Sequence, residues 1–177
     1  MNIYLTGYRA TGKSTVADLL ARLLQWPLLD TDQLVEEETG MSIAEIFSSL
    51  GEAGFREREY QALCQCSGLD KHVVALGGGA VISAANRDVL RGTGPMVWLT
   101  ATVETILERL GKDPMTSSRR PDLVLGGGEE EVRRLLEDRV PVYQECADLV
   151  MPTDQSTPEE VAGKIVAWLD LQPSARR

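Results

Sequence analysis

Histidine is almost missing from this sequence. His72 is the only one, and it sits just before an apolar run where a strand-edge role is expected, so no His-dependent mechanism is on offer. Cysteine is scarce too: Cys64, Cys66 and Cys146 make an odd number without C-x-x-C spacing. That excludes a disulfide framework and a structural zinc site, and leaves them as small core or surface residues. No run approaches the roughly 20 uncharged apolar residues that a spanning helix needs. Met1 leads directly into Ile3-Tyr4-Leu5 without a basic leader, so a soluble, cytoplasmic protein is expected, away from membranes. Positive charge is in deficit. The formal net charge of −9 argues against general nucleic-acid binding, and any anionic ligand must be held by placed arginines.

What remains, 177 residues with 43% hydrophobic content, suffices for one substantial core, and a single domain over 1–177 is expected. Short apolar runs alternate with helix-period segments, the pattern of an α/β fold with parallel strands. Strands are expected at Ile3–Thr6, Leu28–Leu29, Val73–Leu76, Met96–Leu99 and Leu149–Met151. Ser42 with Glu45, and Thr157 with Pro158 and Glu160, mark helix starts. One helix carries Ile43, Ile46, Phe47 and Leu50; another is expected from about Gly54 to Cys66. The helix from Thr102 is expected to stop at Gly111. From 111 to 128 the chain is polar and rich in Gly, Pro and Ser, which reads as a long lid loop. The tail 172–177 is expected to fray.

Gly7-Tyr8-Arg9-Ala10-Thr11-Gly12-Lys13-Ser14 matches G-x-x-x-x-G-K-[ST] between a strand and a helix, the context this phosphate-binding loop requires. Successive backbone N–H groups and the helix N-terminus would face a phosphate group, Lys13 would bridge the β- and γ-phosphates of a nucleotide, and Ser14 would bind Mg²⁺. Kinases, ATPases and GTPases share the motif. The guanine-reading N/T-K-x-D sequence is nowhere in the chain, which weighs against a nucleotide switch.

The second apolar run ends in Gly77-Gly78-Gly79, so the acids must come from elsewhere. Asp30-Thr31-Asp32 follows the Leu28-Leu29 strand at the sheet edge where ligands of such folds collect. In extended backbone both carboxylates would face one site, one near Mg²⁺ and one near an acceptor hydroxyl. An equal alternative makes Asp32 the N-cap of an acidic helix over 33–38. Three glycines at a strand end let a ligand lie against the backbone. Arg56, in a run with Glu57, Arg58 and Glu59, reads on its own as part of a solvated helix face. Arg119 or Arg120 in the lid could swing over a transferring phosphate, and Arg139 could complete a carboxylate clamp.

Taken together, the phosphate loop, Asp30-Thr31-Asp32, Gly51-Glu52-x-x-Phe55-Arg56, Leu76-Gly77-Gly78-Gly79-Ala80, Arg120-Pro121 and Arg139-x-Pro141-x-Tyr143 resemble the shikimate kinase family. The resemblance implies a three-layer P-loop kinase fold with a central, mostly five-stranded parallel sheet like that of nucleoside monophosphate kinases. It implies transfer of the ATP γ-phosphate to the 3-hydroxyl of shikimate in aromatic amino-acid biosynthesis. A monomer is expected. Lys13, Asp32 and Arg120 would be catalytic. ATP would be held by Gly7, Ala10, Thr11, Gly12, Lys13, Ser14 and Thr15, with Arg109 near adenine and Arg120 near the phosphates. Ser14 and Asp30 would hold Mg²⁺. Shikimate would meet Asp32, Arg56, Gly77, Gly78, Gly79 and Arg139, in a region built from helices over about 32–66. Two departures stand out: Ala10-Thr11 where many members carry another glycine, and Asp122-Leu123 where two leucines are usual. The first keeps the spacing and is expected to be harmless. The nearest rival reading is a kinase of the same fold acting on gluconate.

Overall fold

A computed structural model describes residues 1–112 and 128–172. Five parallel strands form one sheet: β1 Ile3–Thr6, β2 Leu28–Asp30, β3 Val73–Ala75, β4 Met96–Thr100 and β5 Leu149–Pro152, in the order β2-β3-β1-β4-β5. The inner strands β1 and β3 are buried throughout, while β2 and β5 at the edges are partly exposed. Their composition follows from that: Ile-Tyr-Leu and Val-Val-Ala are continuous apolar runs with both faces covered.

The helices are α1 Lys13–Leu24, α2 Thr31–Thr39, α3 Ile43–Ser67, α4 Ala84–Leu90, α5 Val103–Lys112, α6 Gly128–Cys146 and α7 Pro158–Asp170. Alternation along β1 splits the core in two. Ile3 and Leu5 pack with Val16 and Leu20 of α1 and with Val161 and Ile165 of α7. Tyr4, pointing the other way, packs with Leu63 of α3, Leu90 of α4 and Tyr143 of α6. The result is three layers, helices on both faces of the sheet. Two satellite clusters flank it: Val35, Ile43, Ile46 and Phe55 join α2 to α3, and Tyr8, Ile106 and Val132 join the phosphate loop to α5 and α6.

Both capping boxes form, at Ser42/Glu45 and at Thr157/Glu160. The two expected helices over 43–66 are one run interrupted at Gly51, whose φ of 69° and ψ of −177° turn the chain between them. Helix α5 passes through Gly111 instead of stopping there. A single helical glycine costs only about 1 kcal/mol, and a Glu108–Lys112 pair one turn apart holds the final turn. Helix α4 was not legible in the sequence. It has seven residues, and the Ser83 side chain makes no capping hydrogen bond. The expected lid lies, apart from its ends, outside the described residues, and Arg119, Arg120 and 173–177 lie there too.

Candidate active site

The chain leaves β1 for α1, and β1 lies between β3 and β4, so the C-terminal ends of the strands open a crevice where the order switches. The phosphate loop occupies it. Gly7 (φ 140°) and Gly12 (φ 91°) use backbone space that side chains rarely enter, and a Cβ on Gly7 would lie only 2.4 Å from the Leu99 carbonyl oxygen of β4. Ala10 also has positive φ, 61°. The exchange of glycine for alanine there is therefore not free, since the left-handed region costs a residue with a Cβ roughly 1 to 2 kcal/mol. The loop is braced from within: Thr11 Oγ1 and Lys13 Nζ both donate to the Tyr8 carbonyl, at 2.7 and 2.8 Å.

On one side of the loop, Arg109 of α5 donates to the Ala10 carbonyl at 3.1 Å and to Thr153 Oγ1 and O at 3.0 and 2.8 Å. It thereby ties the loop to the end of β5. A cleft of about 350 Å³ opens there, lined by Thr11, Gly12, Thr15, Arg109, Thr153 and Pro158, among others.

On the other side stand the acids. The sequence left open whether Asp32 caps a helix; the cap is Asp30, whose Oδ1 accepts from the N–H groups of Asp32 and Gln33 at 3.0 and 3.2 Å. Asp32 is thus in the first turn of α2, and the two carboxylates approach through helix geometry instead of an extended strand. Burial, and next the Asp32 charge, push the Asp30 carboxyl above its usual range, against the two N–H bonds and Lys13, which pull it down. Thr31, between them, accepts from the Gly77 N–H at 2.9 Å.

The triple glycine is where these parts meet. A Cβ on Gly77 would lie 2.5 Å from Asp32 Oδ1, and one on Gly79 would lie 3.0 Å from Arg56 Nη1. The Gly78 carbonyl accepts from Tyr143 Oη at 2.5 Å and from Arg139 Nη1 at 3.4 Å. Three consecutive glycines therefore each meet one charged side chain of the predicted set. The bare backbone that the sequence suggests for a ligand also makes room for the protein's own Asp32 and Arg56.

Other residues join that sequence reading alone missed. Glu59, taken from its Arg-Glu-Arg-Glu context as part of a solvated face, is 1% exposed and accepts from Arg56 Nη1 at 2.9 Å. Glu52 holds the other arm of Arg56 at 3.3 Å. Burial weighs against the Arg56 charge, but these carboxylates outweigh it and raise its pKa. The i,i+3 spacing of Arg56 and Glu59 was visible; that α3 turns this face inward was not. Tyr8 is 2% exposed, and its ring lies under Arg9 and Arg139, 5.9 and 5.7 Å from the ring centroid. Burial also pushes the Tyr143 phenol up, so it is held as a neutral donor.

A phosphate loop, paired carboxylates and two arginines around a triple glycine are a narrow combination. The family model described as shikimate kinase matches residues 9–170. The chain belongs to the shikimate kinase family. A shikimate kinase from Rhodopirellula baltica is 41% identical over 165 residues, 93% of this chain and 88% of that protein. Among solved structures, the shikimate kinase from Acinetobacter baumannii in complex with shikimate superposes with a TM-score of 0.88 at 38% identity, covering 95% of this chain and 92% of that one. A gluconokinase from Sinorhizobium meliloti superposes with a TM-score of 0.61 at 19% identity, covering 94% and 89%, a likeness of fold alone. Members of the shikimate kinase family use ATP, which the phosphate loop suits. Among the described residues no helix is long and apolar enough to cross a membrane, and no group of three or more His, Cys, Asp or Glu could hold a metal ion.

Proposed function

We propose that this protein is an ATP-dependent kinase that phosphorylates the 3-hydroxyl of shikimate. The observation that carries the reading is the convergence of Asp32, Arg139 and Arg56 on Gly77, Gly78 and Gly79, beside a phosphate loop, in a member of this family. The loop N–H groups and Lys13 take the β- and γ-phosphates, Thr15 flanks them, and the adenine lies in the cleft beside Arg109. Arg56 and Arg139 take the acceptor carboxylate, so a chain of net charge −9 can still bind an anion. The helices over about 32–66 form the acceptor side of the single domain.

Mg²⁺ fits the residues present. Burial and the neighbouring Asp32 charge raise the cost of ionising Asp30, a strain that a divalent cation offsets, and Mg²⁺ is commonly held by one or two carboxylates with substrate phosphates and water. Ser14 and Asp30 would hold it, and it would neutralise charge developing on the phosphate oxygens. Asp32 orients the 3-hydroxyl toward the γ-phosphorus and receives its proton as the new oxygen–phosphorus bond forms and the bond to the β-phosphate oxygen breaks. Arg120, outside the described residues, is assigned on sequence alone as the lid arginine over the phosphates. The same reading takes the working unit to be one chain in the cytoplasm.

The test is ADP release by purified protein with ATP and Mg²⁺, run in parallel with shikimate, gluconate and no acceptor. Release that depends on shikimate supports the proposal. ATP binding without shikimate-dependent release, or release that depends on gluconate, overturns it.

A further inference from the structure

We infer that Asn86 is a positioning residue for the acceptor-binding arginine. Helix α4 carries it, and its side chain is 2% exposed. A buried amide N–H needs acceptors, and Asn86 Nδ2 has two: the Ala80 carbonyl at 2.8 Å and Glu59 Oε2 at 3.4 Å. The first bond fixes the turn that follows the triple glycine. The second reaches the carboxylate oxygen that also accepts from Arg56 Nη1 at 2.9 Å.

Asn86 therefore links the two parts that form one wall of the acceptor site. Glu59 is 1% exposed and is charged in its bond to Arg56, so each donor directed at it limits where the carboxylate sits and hence where the guanidinium sits. Arg56 is 34% exposed, with one nitrogen 3.0 Å from the Cβ position of Gly79, so its outer edge faces the space above the glycines. The neighbouring Arg87 gives an internal comparison. Its side chain donates to the Val81 and Ile82 carbonyls, both at 2.9 Å, bracing the same turn, and among the described residues it makes no hydrogen bond to Glu59. Turn bracing is thus shared by the two residues, whereas the link to Glu59 belongs to Asn86.

This inference rests on the shikimate kinase reading, and its test separates the two. Asn86→Ala is compared with wild type for KM of shikimate, KM of ATP and kcat, and then again in an Arg56→Ala background. Loss of one anchor behind a substrate-binding side chain is expected to raise the shikimate KM roughly tenfold, with the ATP KM and kcat within about twofold. In the Arg56→Ala background the same substitution is expected to add less than about twofold, because the residue it positions is gone. Arg87→Ala is expected to lower Tm with little change in the shikimate KM. The inference is overturned by an unchanged shikimate KM in Asn86→Ala, by an equal rise in both KM values, or by effects of Asn86→Ala and Arg56→Ala that simply multiply. Should Asn86→Ala fail to bind ATP and prove unfolded, Asn86→Ser carries the same comparison. Wild-type protein without shikimate turnover would instead refute the underlying functional reading.

Discussion

Replacing Gly77 by alanine should damage the chemistry while sparing the fold. The new Cβ would lie 2.5 Å from Asp32 Oδ1 and 3.3 Å from Glu59 Oε1. Favourable contacts of this kind lie near 3.5 Å, so the Asp32 carboxylate must retreat by about 1 Å. It is the end of a side chain and can do so. Gly77 is not among the residues of positive φ, so alanine meets no backbone strain there, and reduced freedom of the unfolded chain is worth about 0.4 to 1 kcal/mol in favour of the variant. A misplacement of about 1 Å at a group that orients the reacting hydroxyl costs on the order of a hundredfold, or about 2.7 kcal/mol of transition-state stabilisation. The assay is kcat/KM for shikimate by coupled ADP release, beside ATP affinity and Tm. A fall near a hundredfold with ATP affinity and Tm almost unchanged is expected. Unchanged kcat/KM, or a loss that tracks a falling Tm, would refute the reasoning.

Arg56→Ala and Arg139→Ala should each raise the shikimate KM by about 30- to 150-fold, from loss of charge-assisted contacts worth roughly 2 to 3 kcal/mol, with kcat little changed in steady-state kinetics. Asp30→Asn should abolish Mg²⁺-dependent turnover yet keep the cap on α2, since an amide oxygen also accepts N–H bonds. Because the folded Asp30 pKa is raised, wild-type stability falls as pH rises from the usual carboxylate value through the folded one. The variant should therefore gain in Tm over wild type at neutral pH, and the gain should vanish below about pH 4, where Asp30 is protonated in both states. Ala10→Gly should leave stability unchanged or raise it by up to about 1 kcal/mol, relief of positive φ set against greater unfolded-state freedom, as measured by urea melts.

The sheet was legible because its inner strands are short apolar runs, two of them followed closely by glycine at Gly7 and Gly77, and the helix starts because Ser42/Glu45 and Thr157/Glu160 spell capping boxes. Helix α4 was not, since seven residues give barely two turns of periodicity and Ser83 supplies no side-chain cap. The site divides along similar lines. Contiguous motifs bring Lys13, Asp32 and Gly77–Gly79 forward, because spacing within a loop is chemistry in itself. Glu59 and Asn86 stay hidden, because their importance comes from burial against one another across 27 residues of chain, and composition gives a buried Glu in a charged run the look of a solvated one. The cap falls to Asp30 and not to Asp32 for a simple reason: α2 begins at Thr31, two residues before its acidic run suggests.

The most direct measurement of the central claim is the fate of the γ-phosphate, followed by phosphorus and proton NMR of a reaction containing ATP, Mg²⁺, shikimate and the protein. A single phosphate ester coupled to the proton on carbon 3 of shikimate is predicted, in equal amount to the ADP formed. Appearance of the phosphate as the inorganic ion, or on another acceptor with shikimate recovered unchanged, would contradict it.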